Sequence, residues 1–99
     1  MLLLDVVMAK KQLYVVMRGR VQGVFFRGQT KERAKELGIT GWIRNNPDGT
    51  VEAMFEGEEL VLERMLMWCR KGPDLAEVAQ VQAKYLPNRN EFRDFKILY

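Results

Sequence analysis

Hydrophobic periodicity switches repeatedly along this 99-residue chain, and the order of the switches leaves few folds open. Leu13-Tyr-Val-Val-Met17 is apolar and β-branched on both faces, as a strand covered on at least one side requires. Gly19 and Gly23 then frame a loop. After it, Phe26, Thr30, Ala34 and Leu37 recur at helical spacing, with Lys31, Glu32, Lys35 and Glu36 turned outward. Gly38 stands where a helix end favours a residue tolerant of positive φ. A second strand follows over Thr40–Asn46. Asn46-Pro-Asp-Gly49 is a turn sequence, and Thr50–Glu56 returns as the other arm of a hairpin. Residues 58–71 read as a second amphipathic helix, with Leu62, Met65, Leu66 and Cys69 on one stripe and Gly72-Pro73 as its stop. Ala79, Val81, Ala83 and Tyr85 alternate with Gln80, Gln82 and Lys84, which marks a strand with one wet face. After a polar loop over Pro87–Glu91, Phe95, Ile97 and Tyr99 alternate in a short terminal strand.

The order is therefore βαββαβ with a final β. Two right-handed βαβ units in one mixed, largely antiparallel sheet, with both helices on one face, predict the ferredoxin-like α+β sandwich. A chain of this length has room for one domain, expected over residues 12–99. Residues 1–11 are expected to be a poorly ordered N-terminal extension. Met8-Ala-Lys-Lys reads as a second start, and the leading apolar run, cut by Asp5, lacks the basic and apolar regions of a signal peptide. No apolar stretch approaches the ~20 residues that span a bilayer. A single cysteine, Cys69, excludes an internal disulfide framework and any multi-thiolate metal site, and its place on the apolar stripe marks it as a buried, inert thiol. Met65 and Met67 read as core filler of the same helix. The chain has no histidine, which excludes a Ser-His-Asp triad, His-ligated zinc and an imidazole switch near neutral pH. Any catalysis must work without imidazole.

Charge is unevenly spread. Between Val6 and Lys31 stand six cations (Lys10, Lys11, Arg18, Arg20, Arg27 and Lys31) and no acid, while the rest of the chain is slightly acidic. Such a segment points to an anionic partner bound locally. The predicted topology says where. The first two strands of a βαβ unit run parallel, so the loop Gly19–Arg27 after strand one and Asn45 at the end of strand two meet at one corner, beside the start of the first helix. There Gly19 and Gly23 allow an anion-binding nest of backbone N–H groups. The helix N-terminus adds unsatisfied donors and partial positive charge. Arg27 adds a planar fork matched to phosphate oxygens, and Arg18 and Arg20 raise the surrounding potential. The spacings of a P-loop and of a dinucleotide fingerprint are both missing.

Gly19-Arg-Val-Gln-Gly-Val-Phe-Phe-Arg27, followed by Gly41-Trp-Ile-Arg-Asn45, resembles the two signature segments of the acylphosphatases, a family with about this length and this fold. The resemblance runs from about Leu13 to Tyr99. It implies hydrolysis of acyl phosphates to a carboxylate and inorganic phosphate, without metal or cofactor. By resemblance, Arg27 corresponds to the phosphate-binding arginine and Asn45 to the asparagine that positions the attacking water. The backbone of Gly19, Arg20, Val21, Gln22, Gly23, Val24, Phe25 and Phe26 would hold the phosphoryl oxygens. Phe25 departs from the small residue often found at its place. The expected partners are a small acyl phosphate and product phosphate, with no nucleic acid and no membrane, in a cytoplasmic monomer. The chemistry agrees with the composition: a carboxylate leaves without a general acid, and phosphoryl transfer mostly demands positioning and charge stabilisation.

The rival reading is a non-catalytic module that binds RNA or a small anion, since ferredoxin-like sheets also carry RNA and the pI is near 9.2. Such modules stack bases on exposed aromatics, and the corresponding positions here offer Phe55 and Tyr14 at most.

Overall fold

The structure is a computed structural model that describes residues 9–99, so most of the extension expected over residues 1–11 lies outside the described residues. The elements follow in the expected order: β1 (Lys10–Arg20), α1 (Phe26–Glu36), β2 (Thr40–Asn45), β3 (Val51–Glu58), α2 (Glu59–Lys71), β4 (Glu77–Pro87) and β5 (Phe95–Leu98). They build one five-stranded sheet in the order β4-β1-β3-β2-β5. β3 pairs antiparallel with both β1 and β2, so β1 and β2 run parallel with β3 between them. β4 is antiparallel on the outer side of β1, and β5 is parallel on the outer side of β2. This is the ferredoxin-like arrangement, with two split βαβ units.

Register explains the core. Leu13, Val15 and Met17 stand opposite Phe55, Ala53 and Val51, and Gly41 and Ile43 stand opposite Phe55 and Ala53. All these positions face one side of the sheet, and they cluster with Phe26 and Ala34 of α1 and with Leu62, Met65 and Cys69 of α2. Phe55 and Phe95 stack at 5.6 Å, and the edge of Phe26 meets Trp68 at 5.7 Å. Thr30 sits in the apolar stripe of α1 because its hydroxyl donates to the Phe26 carbonyl at 2.7 Å. Burial pushes the Cys69 thiol up to about 12, so it is a thiol and not a thiolate at neutral pH.

Several local expectations change. Met67 is 70% exposed, because it lies two residues from Met65 and Cys69 and so on the opposite face of α2. β1 continues through Gly19 and Arg20, which are strand residues and not part of the loop. The continuation works through a β-bulge: Arg18 pairs with Gln80 and Gly19 with Val78, leaving Ala79 as the extra residue on β4. Gly19 has φ 125°, and a Cβ there would overlap the Glu77 carbonyl oxygen and approach the Ala79 nitrogen to 2.8 Å. The bulge also turns both Val78 and Val81 toward the core, whereas Ala79, Ala83 and Tyr85 are exposed on this edge strand. Lys11, counted along the chain with the unopposed cations, is paired in the fold: its ammonium contacts Glu59 at 3.1 Å.

The open face of the sheet carries two fixed carboxylates, Glu52 and Glu56. Phe55 points away from it into the core, and Tyr14 donates its hydroxyl to Glu52. Glu52 also accepts from Arg44 at 2.6 Å. Burial raises the Glu52 carboxyl, but the hydrogen bonds from Tyr14 and Arg44 outweigh it and the group titrates below its usual range. Glu56 behaves similarly. Burial is outweighed by the side chain of Gln12 at 2.9 Å and by the backbone N–H groups of Arg89, Phe92 and Glu91. That carboxylate ties down the β4–β5 loop, with the Glu91 N–H at 2.8 Å. The two aromatic side chains of this face are already engaged, Tyr14 with Glu52 and Trp42 with the Arg44 guanidinium at 5.2 Å, so neither is a free platform for stacking a base.

A depressed carboxyl binds fewer protons folded than unfolded, so its contribution is complete above the unfolded value and is lost as pH falls through the folded one. Stability is therefore expected to decline below the ordinary carboxylate value of 4.5. Glu56→Gln should cost about 1.5–3 kcal/mol at pH 7 and flatten the acid decline, measured by urea unfolding at pH 7 and pH 3.5.

Candidate active site

Strand pairing places the ends of β1 and β2 at one corner of the sheet, each one strand removed from the other across β3. The loop that leaves β1 is anchored by its own valines: Val21 is 1% exposed and Val24 is 5% exposed. Phe26 follows into the core, so the adjacent Arg27 starts the helix from a fixed point. Between them Gly23 has φ 73° and Phe25 has φ 62°, both left-handed. For glycine that conformation is easy; for a bulky aromatic it is strained.

α1 begins without a side-chain cap and without an acid in its first turn. The Gln29 N–H, which donates to the Phe25 carbonyl at 3.1 Å, is the first of this segment to find a backbone acceptor. The N–H groups of residues 22–28 have no acceptor among the described residues. A helix start with free donors and no local acid favours an anion.

The loop is tied to the β2–β3 hairpin by one side chain. The Gln22 amide donates to the Asn46 carbonyl at 2.8 Å and to the Thr50 carbonyl at 2.9 Å. The hairpin is itself rigid: the Asn46 amide donates to the Thr50 hydroxyl at 3.0 Å, and that hydroxyl donates to Asp48 at 2.7 Å. Hydrogen bonds from Thr50 hold the Asp48 carboxyl below its usual range, and the Arg18 charge adds to the effect. Asn45 stands just before this turn, paired with Val51 and on the helix side of the sheet.

Arg27 and Asn45 line the same cavity, about 350 Å³, together with Val21, Gly23, Phe25, Phe26, Gly28, Ile97 and Tyr99. Two observations single it out. The Asn45 Oδ1 is buried with no hydrogen-bond partner, an arrangement that costs free energy unless something else occupies the site. Arg27 forms no salt bridge among the described residues, and its guanidinium rests 5.1 Å from the Tyr99 ring. The corner thus combines a free arginine fork, free N–H donors and an unsatisfied amide oxygen.

Of the expected loop residues, Val21, Gly23, Phe25 and Phe26 line the cavity, whereas Gln22 and Val24 act as tie and anchor. Gly19 and Arg20 belong to the strand. The expectation that no acid opposes the basic segment holds only along the chain. Glu77 stands opposite Arg20 in the ladder, and Asp48 lies near Arg18, both brought in by strand pairing. Tyr99 was legible only as an alternating strand residue. Its place at the site follows from the parallel register, in which Arg44 pairs with Leu98, so the next positions are Asn45 and Tyr99. Among the described residues no group of three His, Cys, Asp or Glu side chains is arranged to hold a metal ion, and no helix is long and apolar enough to cross a membrane.

The acylphosphatase family model matches residues 13–97. An acylphosphatase of Pelotomaculum thermopropionicum is 47% identical over 92 residues, 93% of this chain and 100% of the relative. Among solved structures, an acylphosphatase from Coxiella burnetii superposes with a TM-score of 0.86 at 32% identity, covering 91% of this chain and 94% of that one. One from Bacillus subtilis gives a TM-score of 0.86 at 29% identity, covering 90% and 99%. With the family model spanning nearly all of the domain and a relative of this identity matched over its whole length, the chain belongs to the acylphosphatase family.

Proposed function

We propose that this protein hydrolyses acyl phosphates to a carboxylate and inorganic phosphate at the corner built by Arg27, Asn45 and the 21–28 backbone. The observation that carries the reading is the convergence of three unsatisfied features in one cavity: the arginine fork, the uncapped start of α1 and the buried Asn45 Oδ1. The guanidinium takes two phosphoryl oxygens and the N–H groups of the loop and helix start take the rest. Asn45 Oδ1 accepts a hydrogen bond from a water and so holds that water's oxygen toward phosphorus. The water oxygen bonds to phosphorus, the bond from phosphorus to the acyl oxygen breaks, and its electron pair leaves with the carboxylate. The water's proton passes to a phosphoryl oxygen. Neither histidine nor a carboxylate base is needed, and the positive charge comes from the chain itself. All parts of the site come from one chain, which supports action as a monomer. A reduced, buried Cys69 agrees with a cytoplasmic setting. The open sheet face, with Phe55 buried and Tyr14 and Trp42 engaged by Glu52 and Arg44, favours this reading over an RNA-binding module.

The direct test is hydrolysis of benzoyl phosphate by the purified chain in excess EDTA, with inorganic phosphate as competitive inhibitor. Chelator-resistant turnover is expected. Arg27→Ala should lower kcat/KM by about a thousandfold and abolish phosphate inhibition, since one fork serves both ground and transition states. Arg27→Lys should restore little, because a point charge does not bridge two oxygens. Near-normal turnover in either variant would overturn the role of Arg27.

Asn45→Ala should lower kcat by about a hundredfold while the inhibition constant for phosphate stays within about twofold, as a positioning role requires. The opposite pattern, lost phosphate affinity with kcat preserved, would make Asn45 a phosphate ligand instead.

A further inference from the structure

We infer that Phe25 and Tyr99 form an acyl-binding platform at the mouth of the phosphate cavity, selecting substrates with an aromatic or extended apolar acyl group over short ones such as acetyl phosphate. The inference rests on the acyl phosphate reading above and names the half of the substrate that reading leaves open. Arg27, Asn45 and the free N–H groups account for the phosphoryl group and the water. The side chains of Phe25, Ile97 and Tyr99, which complete the outer lining, present mostly apolar and aromatic surface and no charge for phosphate. A cavity of about 350 Å³ is of the size that holds a small organic molecule, about 300–1,000 Å³.

The two rings are conspicuous for their exposure. Phe25 is 73% exposed, and Tyr99 is fully so. Phe25 holds a left-handed backbone at φ 62° although glycine would adopt it without strain, and its 73% exposed ring recovers little of that cost by burial in the free protein. A strained, solvent-facing aromatic beside Arg27 gains packing only when something apolar enters the cavity. Tyr99 offers the second surface. Its ring lies 5.1 Å from the Arg27 guanidinium, which places it beside the group that holds the phosphoryl oxygens. Both rings line the cavity that holds Arg27, so an acyl group attached to that phosphoryl group has them as neighbours.

The test compares kcat/KM for benzoyl phosphate and acetyl phosphate in the wild type, Phe25→Gly, Tyr99→Ala and Tyr99→Phe. Losing either ring should lower the benzoyl-to-acetyl ratio about three- to tenfold, chiefly through KM for benzoyl phosphate. Tyr99→Phe, which keeps the ring, should keep the ratio. If both substrates decline together and the ratio holds, the rings serve only to steady Arg27 and the loop, and the platform is overturned. A wild type that turns over both substrates with no preference for benzoyl phosphate also overturns it, while leaving the acyl phosphate reading intact. A folded wild type that hydrolyses neither substrate overturns both.

Discussion

Strand β3 lies between β1 and β2 and pairs antiparallel with each, and the functional corner depends on that shared neighbour. Residues that end β1 and β2 are thereby carried to one edge of the sheet, one strand apart, with the β2–β3 turn between them. Three further contacts set the corner. Phe26 is driven into the core against Trp68, which fixes where α1 starts. Gln22 bonds two carbonyls of the hairpin, which fixes the loop against Asn45. The parallel register of β5 with β2 delivers Tyr99. One is core packing, one a side-chain hydrogen bond to backbone and one a strand register, and together they tie the base of the loop to the core.

Charge is distributed by the same logic. Three cations away from the corner are paired with acids: Lys11 with Glu59, Arg33 with Glu36, and Arg44 with Glu52. Glu52 and Glu56 keep their charge on the sheet because donors surround them, despite the burial that opposes it. Arg27 differs in resting against a ring and not a carboxylate. A free fork beside unsatisfied N–H groups leaves a positive potential that an anion can cancel at little reorganisation cost.

Departures from good local chemistry cluster there too: an aromatic in the left-handed region, a helix with no cap, and a buried amide oxygen without a donor. Single departures occur elsewhere, at the uncapped start of α2, the buried Arg33 Nε and Asn90 at φ 48°, but they do not share one cavity. Local violations that gather around one cavity are what a binding site built at some expense of stability looks like.

Most of the architecture was legible because periodicity reports burial, and burial is what the two-layer fold demands. Leu13, Val15 and Met17, the α1 stripe and the Asn46–Gly49 turn all declare themselves by spacing, and with the segments 19–27 and 41–45 they identified the family before any coordinates. What the sequence left undetermined is what depends on a partner far along the chain. The bulge that takes Gly19 and Arg20 into β1 exists because β4 carries an extra residue. The acids facing Arg18 and Arg20 come from other strands. Met67 lies outside the core because of a two-residue offset on its helix. Tyr99 reaches Arg27 only through the register of β5. Spacing along the chain determined the elements and the chemical groups, since both are set by local periodicity and residue type. Tertiary structure alone decided which groups were left without partners, because a charge or amide is free or satisfied only by what the fold brings beside it.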